Sequence, residues 1–184
     1  MPDSPSNSKP PAAPADATAQ VVDSWRRLRP DLDVSPLEVF SRVTRLAKYL
    51  DHIRAAAFAR HHLQGWEFDV LAELRRAGPP HELTPGQMSA QMLVSSGTMT
   101  NRIDRLQAAR LVQRREDRED RRVTRVRLTR AGQARVDAAI ADLVRREAEL
   151  WAPLAPGGRS AAAAALAALL GPLEAAPPAQ RPSA

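Results

Sequence analysis

Between Thr84 and Leu106 the chain carries two helix starts so close together that only a tight turn fits between the helices they open. Thr84-Pro85-Gly86-Gln87 is a capping box with proline at the first helical position, and its helix runs to about Leu93. Ser95 or Ser96 caps the next helix, Gly97 to about Ala109, because a serine hydroxyl satisfies an N–H that the first turn leaves orphaned. Met99, Ile103 and Leu106 recur there at i, i+4 and i+7, so one stripe faces a core and the opposite side faces solvent. Two short helices joined in this way form a helix-turn-helix. Leu111 to Arg115 and Val123 to Leu128 then alternate apolar and basic residues as half-buried strands do, with the charged run Glu116 to Arg122 between them. The order predicts a mainly α (α+β) fold, a winged helix-turn-helix.

Helical patterns flank this unit on both sides. Asp16 caps a helix to about Arg29 that ends at Pro30, since the residue before proline is pushed out of the α region. Ser35-Pro36-Leu37-Glu38 reads as another capping box. Its helix runs to about Leu63 with Val39, Val43, Leu46, Leu50, Ile53 and Ala57 on one stripe. A third helix spans Trp66 to about Arg76 and stops at Gly78-Pro79-Pro80. Thr129 caps a long helix to about Trp151, with Val136, Ile140, Leu143 and Ala148 on one side, and Ser160 caps a last one bearing Leu166, Leu169, Leu170 and Leu173. Proline and serine content marks residues 1–15, and 175–184 likewise, as disordered tails around a single domain of residues 16–174.

The 184 residues suffice for one full core. Aromatic residues make up only 4% of a chain that is 43% hydrophobic, and leucine and alanine dominate, which favours helices over sheets. The absence of cysteine excludes disulfides, thiolate metal sites and thiol nucleophiles and fits a reducing compartment. Met1 to Pro14 lacks the apolar core of a signal peptide, and the longest charge-free apolar run, Ala161 to Leu170, is too short to span a membrane. A cytoplasmic protein without membrane contact is expected. His52, His61, His62 and His81 form no metal-ligand spacing, and neither a phosphate-binding glycine loop nor a nucleophile elbow is present. No catalytic residue, metal or cofactor is therefore expected.

Net charge is +6, and between Ser95 and Arg135 twelve arginines face five acids, so the excess is concentrated in the winged unit. Opposite the apolar stripe of the second helix lie Gly97, Asn101, Asp104 and Arg105, with Thr98 at the edge. Asparagine offers a donor and an acceptor to adenine, and arginine a fork to guanine. Ser95, Ser96 and Thr98 bring hydroxyls to a helix N-terminus that favours phosphate. The wing tip adds Arg118, Asp120, Arg121 and Arg122 for a minor groove and its phosphates. Each part alone also fits a solvated amphipathic helix or a charged hairpin. Their succession within forty residues points to double-stranded DNA. A helical protein-interaction scaffold is the alternative from another class, and salt-dependent duplex binding separates the two.

The stretch Ser96-Gly97-Thr98-Met99-Thr100-Asn101-Arg102-Ile103-Asp104-Arg105-Leu106, followed by Asp120-Arg121-Arg122 and Leu128-Thr129-Arg130-Ala131-Gly132, resembles the MarR family of bacterial regulators over about Ser24 to Trp151. The resemblance implies a homodimer joined through its terminal helices, a pseudo-palindromic operator and a repressor's role. It also implies a wing in which Asp120 orients Arg122. The DNA-binding part would span about residues 66–130, and the dimerisation helices about 16–63 and 129–174. One departure is Arg110, where the family usually has glycine in a left-handed cap; either Arg110 keeps that conformation at a cost of about 1 kcal/mol or the helix end is remodelled.

A narrower resemblance is to the PecS-like, urate-responsive subgroup, carried by Trp25, Pro30-Asp31-Leu32-Asp33, Ser35-Pro36, Glu67-Phe68-Asp69-Val70-Leu71 and Arg75-Arg76-Ala77-Gly78-Pro79-Pro80. It implies an effector pocket of Trp25, Asp69, Thr100, Arg102 and Arg114 for urate or a related anionic purine. Arg102 lies about sixty degrees from the apolar stripe, so partial burial is expected, and a buried guanidinium needs an anion. That anion is either a ligand or Asp69 itself in an Arg102–Asp69 bridge. Periodicity places Asp69 away from Phe68, Leu71 and Leu74, on the solvated side of its helix. The same fold answering phenolic compounds or antibiotics is a further alternative; oxidant sensing through a thiol is closed without cysteine.

Overall fold

Side-chain caps set most helix starts in the computed structural model of the chain, which describes residues 16–117, 120 and 122–175. The element order is α1 (Ala17–Leu28), α2 (Ser35–Ala59), α3 (Gly65–Arg76), β1 (Glu82–Leu83), α4 (Pro85–Gln91), α5 (Ser96–Ala108), β2 (Val112–Glu116), β3 (Thr124–Leu128), α6 (Arg130–Trp151) and α7 (Pro156–Ala175). The tail expected over residues 1–15 lies outside the described residues, as do residues 176–184 of the one expected from 175, whereas Ala175 is the last residue of α7. The chain divides into two units, one ending at Asp51 and the other beginning at His52. Among the described residues no helix is long and apolar enough to cross a membrane.

In the N-terminal unit Asp16 caps α1, its Oδ1 accepting the N–H of Thr18 and of Ala19 at 2.9 Å each. Its other oxygen accepts from Arg42 Nε at 2.8 Å, which ties the start of α1 to α2. Val22 and Val34 are buried between these elements. The capping box expected at Ser35 does not form. Ser35 is already helical, its N–H goes to Asp33 Oδ1 at 2.9 Å, and Glu38 pairs with Arg26 instead. Val39, Phe40, Val43, Leu46 and Tyr49 are exposed, so this stretch of α2 presents an apolar surface that the unit itself does not cover.

In the C-terminal unit the core is built on Phe58 and Phe68, whose rings stack at 4.0 Å with 13° between planes. Leu71 and Leu74 of α3, Met88 of α4, Met99, Ile103 and Leu106 of α5, Val112 and Val126 of the sheet and Val136 and Leu143 of α6 pack in the same cluster. Full burial of each such side chain stabilises by about 1.5–3 kcal/mol. The sheet is antiparallel in the order β1-β3-β2, with Arg114 opposite Val126 and Val112 opposite Leu128. Strand β1, pairing Glu82 with Arg127 and Leu83 with Val126, was not expected: two residues are too few to show a period. The last helix begins at Pro156, a favoured first helical position, rather than after Ser160.

Three helix ends share one device. His62 after α2, Leu93 after α4 and Arg110 after α5 have φ of +53°, +53° and +59°. The following residue in each case, Leu63, Val94 or Leu111, donates its N–H to a carbonyl five residues back, on Phe58, Ser89 or Leu106. This is the Schellman ending, normally given to glycine because a β-carbon is disfavoured at positive φ. Arg110 thus keeps the left-handed cap in spite of its side chain.

Candidate nucleic-acid interface

Helix α4 is fixed by the reciprocal box at its start: Gln87 N–H donates to Thr84 Oγ1 at 3.2 Å, and Thr84 N–H to Gln87 Oε1 at 2.8 Å. The left-handed Leu93 then turns the chain into α5. There Ser95 Oγ accepts from Thr98 N–H at 3.2 Å and lies 2.9 Å from the Thr98 hydroxyl. Ser95 is therefore the cap and Ser96 the first helical residue, both exposed at the α5 N-terminus. With Met99, Ile103 and Leu106 buried, Gly97, Thr98, Asn101, Asp104 and Arg105 come together on the exposed face, as their periodicity requires.

The wing follows directly. Main-chain bonds Asp117 N–H to Val123 O and Val123 N–H to Asp120 O, both 2.9 Å, close its tip. Asp120 Oδ1 accepts the backbone N–H of Arg122 at 2.9 Å, so its carboxylate holds Arg122 through the main chain. Arg118 and Arg121 lie outside the described residues. On the sheet, Arg115 stands opposite Arg125, and Arg125 pairs with Asp117. A cleft of about 660 Å³ beside them is lined by Pro80, Glu82, Arg115, Glu116, Asp117, Arg125 and Arg127.

The residues that the effector resemblance implied have other partners here. Asp69 is exposed and lies 3.9 Å from Arg54, an arginine that the sequence did not single out. Thr100 donates to the Ser96 carbonyl at 2.9 Å. Arg114 on β2 donates to Asp104 at 2.6 Å and to Gln107 at 2.9 Å, both on α5. Arg102 is half-buried, as its angle predicted, but its guanidinium carbon rests 5.7 Å from the centre of the Trp66 ring. Trp25 belongs to the N-terminal unit, where it is exposed. Sequence reasoning missed Trp66, which takes Arg105 at 4.9 Å as well and lines a cleft of about 480 Å³ with Gly97, Thr98, Asn101, Arg102 and Arg105. A tryptophan in a first helical turn carried no signal of those two contacts.

A family model described as MarR family matches residues 61–123, the stretch from just after α2 into the wing. The chain is 33% identical over 156 residues to the HTH-type transcriptional regulator PecS of Dickeya dadantii (strain 3937), covering 85% of this chain and 92% of that protein. A MarR family protein from Bacillus stearothermophilus has the same fold, with a TM-score of 0.67 at 21% identity, over 78% of this chain and 99% of that one. So does a MepR mutant from S. aureus bound to an oligodeoxyribonucleotide, with a TM-score of 0.55 at 19% identity over 73% of this chain and 98% of the other. The matched proteins are regulators and not enzymes, in keeping with a surface that offers hydrogen-bond donors and positive charge. With its helix-turn-helix, its wing and this identity over most of its length, the chain belongs to the MarR family of DNA-binding transcriptional regulators, within the PecS-like subgroup.

Proposed function

We propose that the protein is a homodimeric repressor that holds a pseudo-palindromic operator and is released from it by urate or a related anionic purine. The observation that carries the operator half is the exposed face of α5. Asn101 and Arg105 stand there ready for base edges, Ser95, Ser96 and Thr98 sit at the phosphate-favouring N-terminus, and the wing of Asp120 and Arg122 follows. Arg118 and Arg121 are assigned to the same wing by sequence. The DNA-binding part spans about residues 66–130.

Dimerisation is assigned to the helices over about residues 16–63 and 129–174. Support comes from apolar side chains that neither unit covers, among them Val39, Val43 and Leu46 of α2 and Val144, Leu169 and Leu173 of α6 and α7. A second copy related by a two-fold axis would bury them, and would set two recognition helices about 34–36 Å apart, one turn of DNA.

The effector half rests on the arginines. Asp104, the partner of Arg114, lies on α5, as does Arg102 itself. A planar anion that drew Arg102 from Trp66 and Arg114 from Asp104, with Trp25, Asp69 and Thr100 completing its contacts, would pull directly on the recognition helix. Binding the ligand and holding the operator would then favour different states of one element. The test is titration of urate into the complex of protein and operator. Release at saturation is the expected result, and its absence for urate and xanthine alike would remove the effector and leave the DNA reading intact.

A further inference from the structure

We infer that Trp66 is a positioning residue for DNA recognition: its indole holds Arg105, together with Arg102, in place on the recognition surface, so that base discrimination by α5 depends on a side chain of α3. This rests on the proposed role of Arg105 as a reader of base edges.

Arg102 and Arg105 are three residues apart on one helix, a spacing at which like charges repel. Both guanidinium carbons nevertheless lie over the same ring, 5.7 Å and 4.9 Å from its centre, within the distance at which an aromatic face attracts a cation. The indole is itself fixed. Its Nε1–H donates to Gln64 Oε1 at 2.6 Å, and Gln64 caps α3, its own N–H going to Glu67 Oε2 at 2.8 Å. The body of α3 is anchored in the core by Phe68, Leu71 and Leu74.

A rigid platform on one helix thus carries the mobile ends of two side chains on another. An arginine stacked before binding loses fewer rotamers when its fork meets a base, which strengthens the specific complex. The charges that attract phosphates are present whether or not they are stacked, so non-specific binding does not depend on the platform. Trp66 also shares its cleft with Thr98 and Asn101, the other groups on the reading face.

The experiment compares the full-length protein with Trp66→Leu, Trp66→Phe, Arg105→Ala and the double variant Trp66→Leu/Arg105→Ala. Each is titrated with its operator duplex, selected from genomic fragments the protein retains, and with a scrambled duplex of the same length, at several salt concentrations. Trp66→Leu is expected to weaken operator binding by about tenfold, with scrambled-duplex affinity and the salt slope unchanged. Trp66→Phe, with a weaker aromatic face, falls between. In the Arg105→Ala background Trp66→Leu adds less than about twofold, because both act through one contact. Should circular dichroism show Trp66→Leu unfolded, the cycle is run with Trp66→Phe. Trp66 variants that discriminate as well as a discriminating wild type overturn this inference alone, as do independent, multiplying losses at Trp66 and Arg105. A wild type that does not discriminate between the duplexes overturns the operator reading and this inference with it.

Discussion

Arg114 on β2 reaches back to the recognition helix and donates to the carboxylate of Asp104 at 2.6 Å. The wing and the helix that precedes it are thereby joined by an ion pair on the protein surface, with Gln107 as a second acceptor. Exposed pairs of this kind contribute at most about 1 kcal/mol. Arg114→Ala is therefore expected to leave thermal stability nearly unchanged and operator affinity within a few-fold of wild type. Under the proposed effector mechanism it abolishes release by urate. A urate titration of the variant's operator complex checks this.

Gly132 sits in the first turn of α6, where its N–H donates to the capping Thr129 hydroxyl at 2.9 Å. A β-carbon added there would collide with the backbone carbonyl oxygen of Leu111, which already accepts from Thr129 N–H at 3.1 Å. The obstacle is main chain and cannot swing aside. Gly132→Ala is expected to destabilise the C-terminal unit by about 2 kcal/mol or more, read as a lowered denaturant midpoint with an unchanged slope.

Arg110 holds φ of +59° at the end of α5. The Schellman bonds from Arg110 N–H to Gln107 O and from Leu111 N–H to Leu106 O, each 2.9 Å, keep it there. Arg110→Gly removes the β-carbon penalty and is expected to stabilise by about 0.5–1 kcal/mol, seen as a higher Tm.

Asp142 on α6 is 6% exposed and is surrounded by three arginines, Arg146 with Nε at 3.4 Å, Arg60 with Nε at 3.8 Å and Arg145 in direct contact, with His61 Nε2 at 3.7 Å beside them. Burial pushes its carboxyl up, but Arg146, Arg145 and Arg60 together outweigh it and hold it below the usual carboxylate value. A lowered value in the folded state means that the stability it contributes is complete above the unfolded carboxylate's range and is lost as pH falls through the lowered value. Asp142→Asn is expected to lower Tm at neutral pH and to flatten the acid limb of the Tm–pH curve relative to wild type.

Elements announced by local chemistry were legible in the sequence. Asp16, Thr84 and Thr129 each cap the helix they were expected to cap, and of the two serines offered for α5 Ser95 is the cap, because a cap acts within three residues. Ser35 misled because Asp33, two residues earlier, takes its N–H and Arg26 takes Glu38; the second partner lies on another helix, beyond any local pattern. The exposed face of α5 followed from its buried stripe. The partners of its arginines did not: Trp66 lies 36 residues before Arg102, and the Arg114–Asp104 pair forms only once β2 has folded back beside α5.

The most direct measurement is binding of Asn101→Ala and Arg105→Ala to the operator, to operators changed at single base pairs, and to a scrambled duplex at matched salt. Each variant is expected to lose about 10- to 100-fold on the operator, the worth of one bidentate base contact. Each should also become indifferent to one base-pair change; Asn101→Ala is expected to bind the scrambled duplex as wild type does, and Arg105→Ala to lose there only the few-fold that one charge contributes. Equal losses on operator and scrambled duplex, or no loss on either, would contradict the assignment of α5 as the helix that reads the sequence.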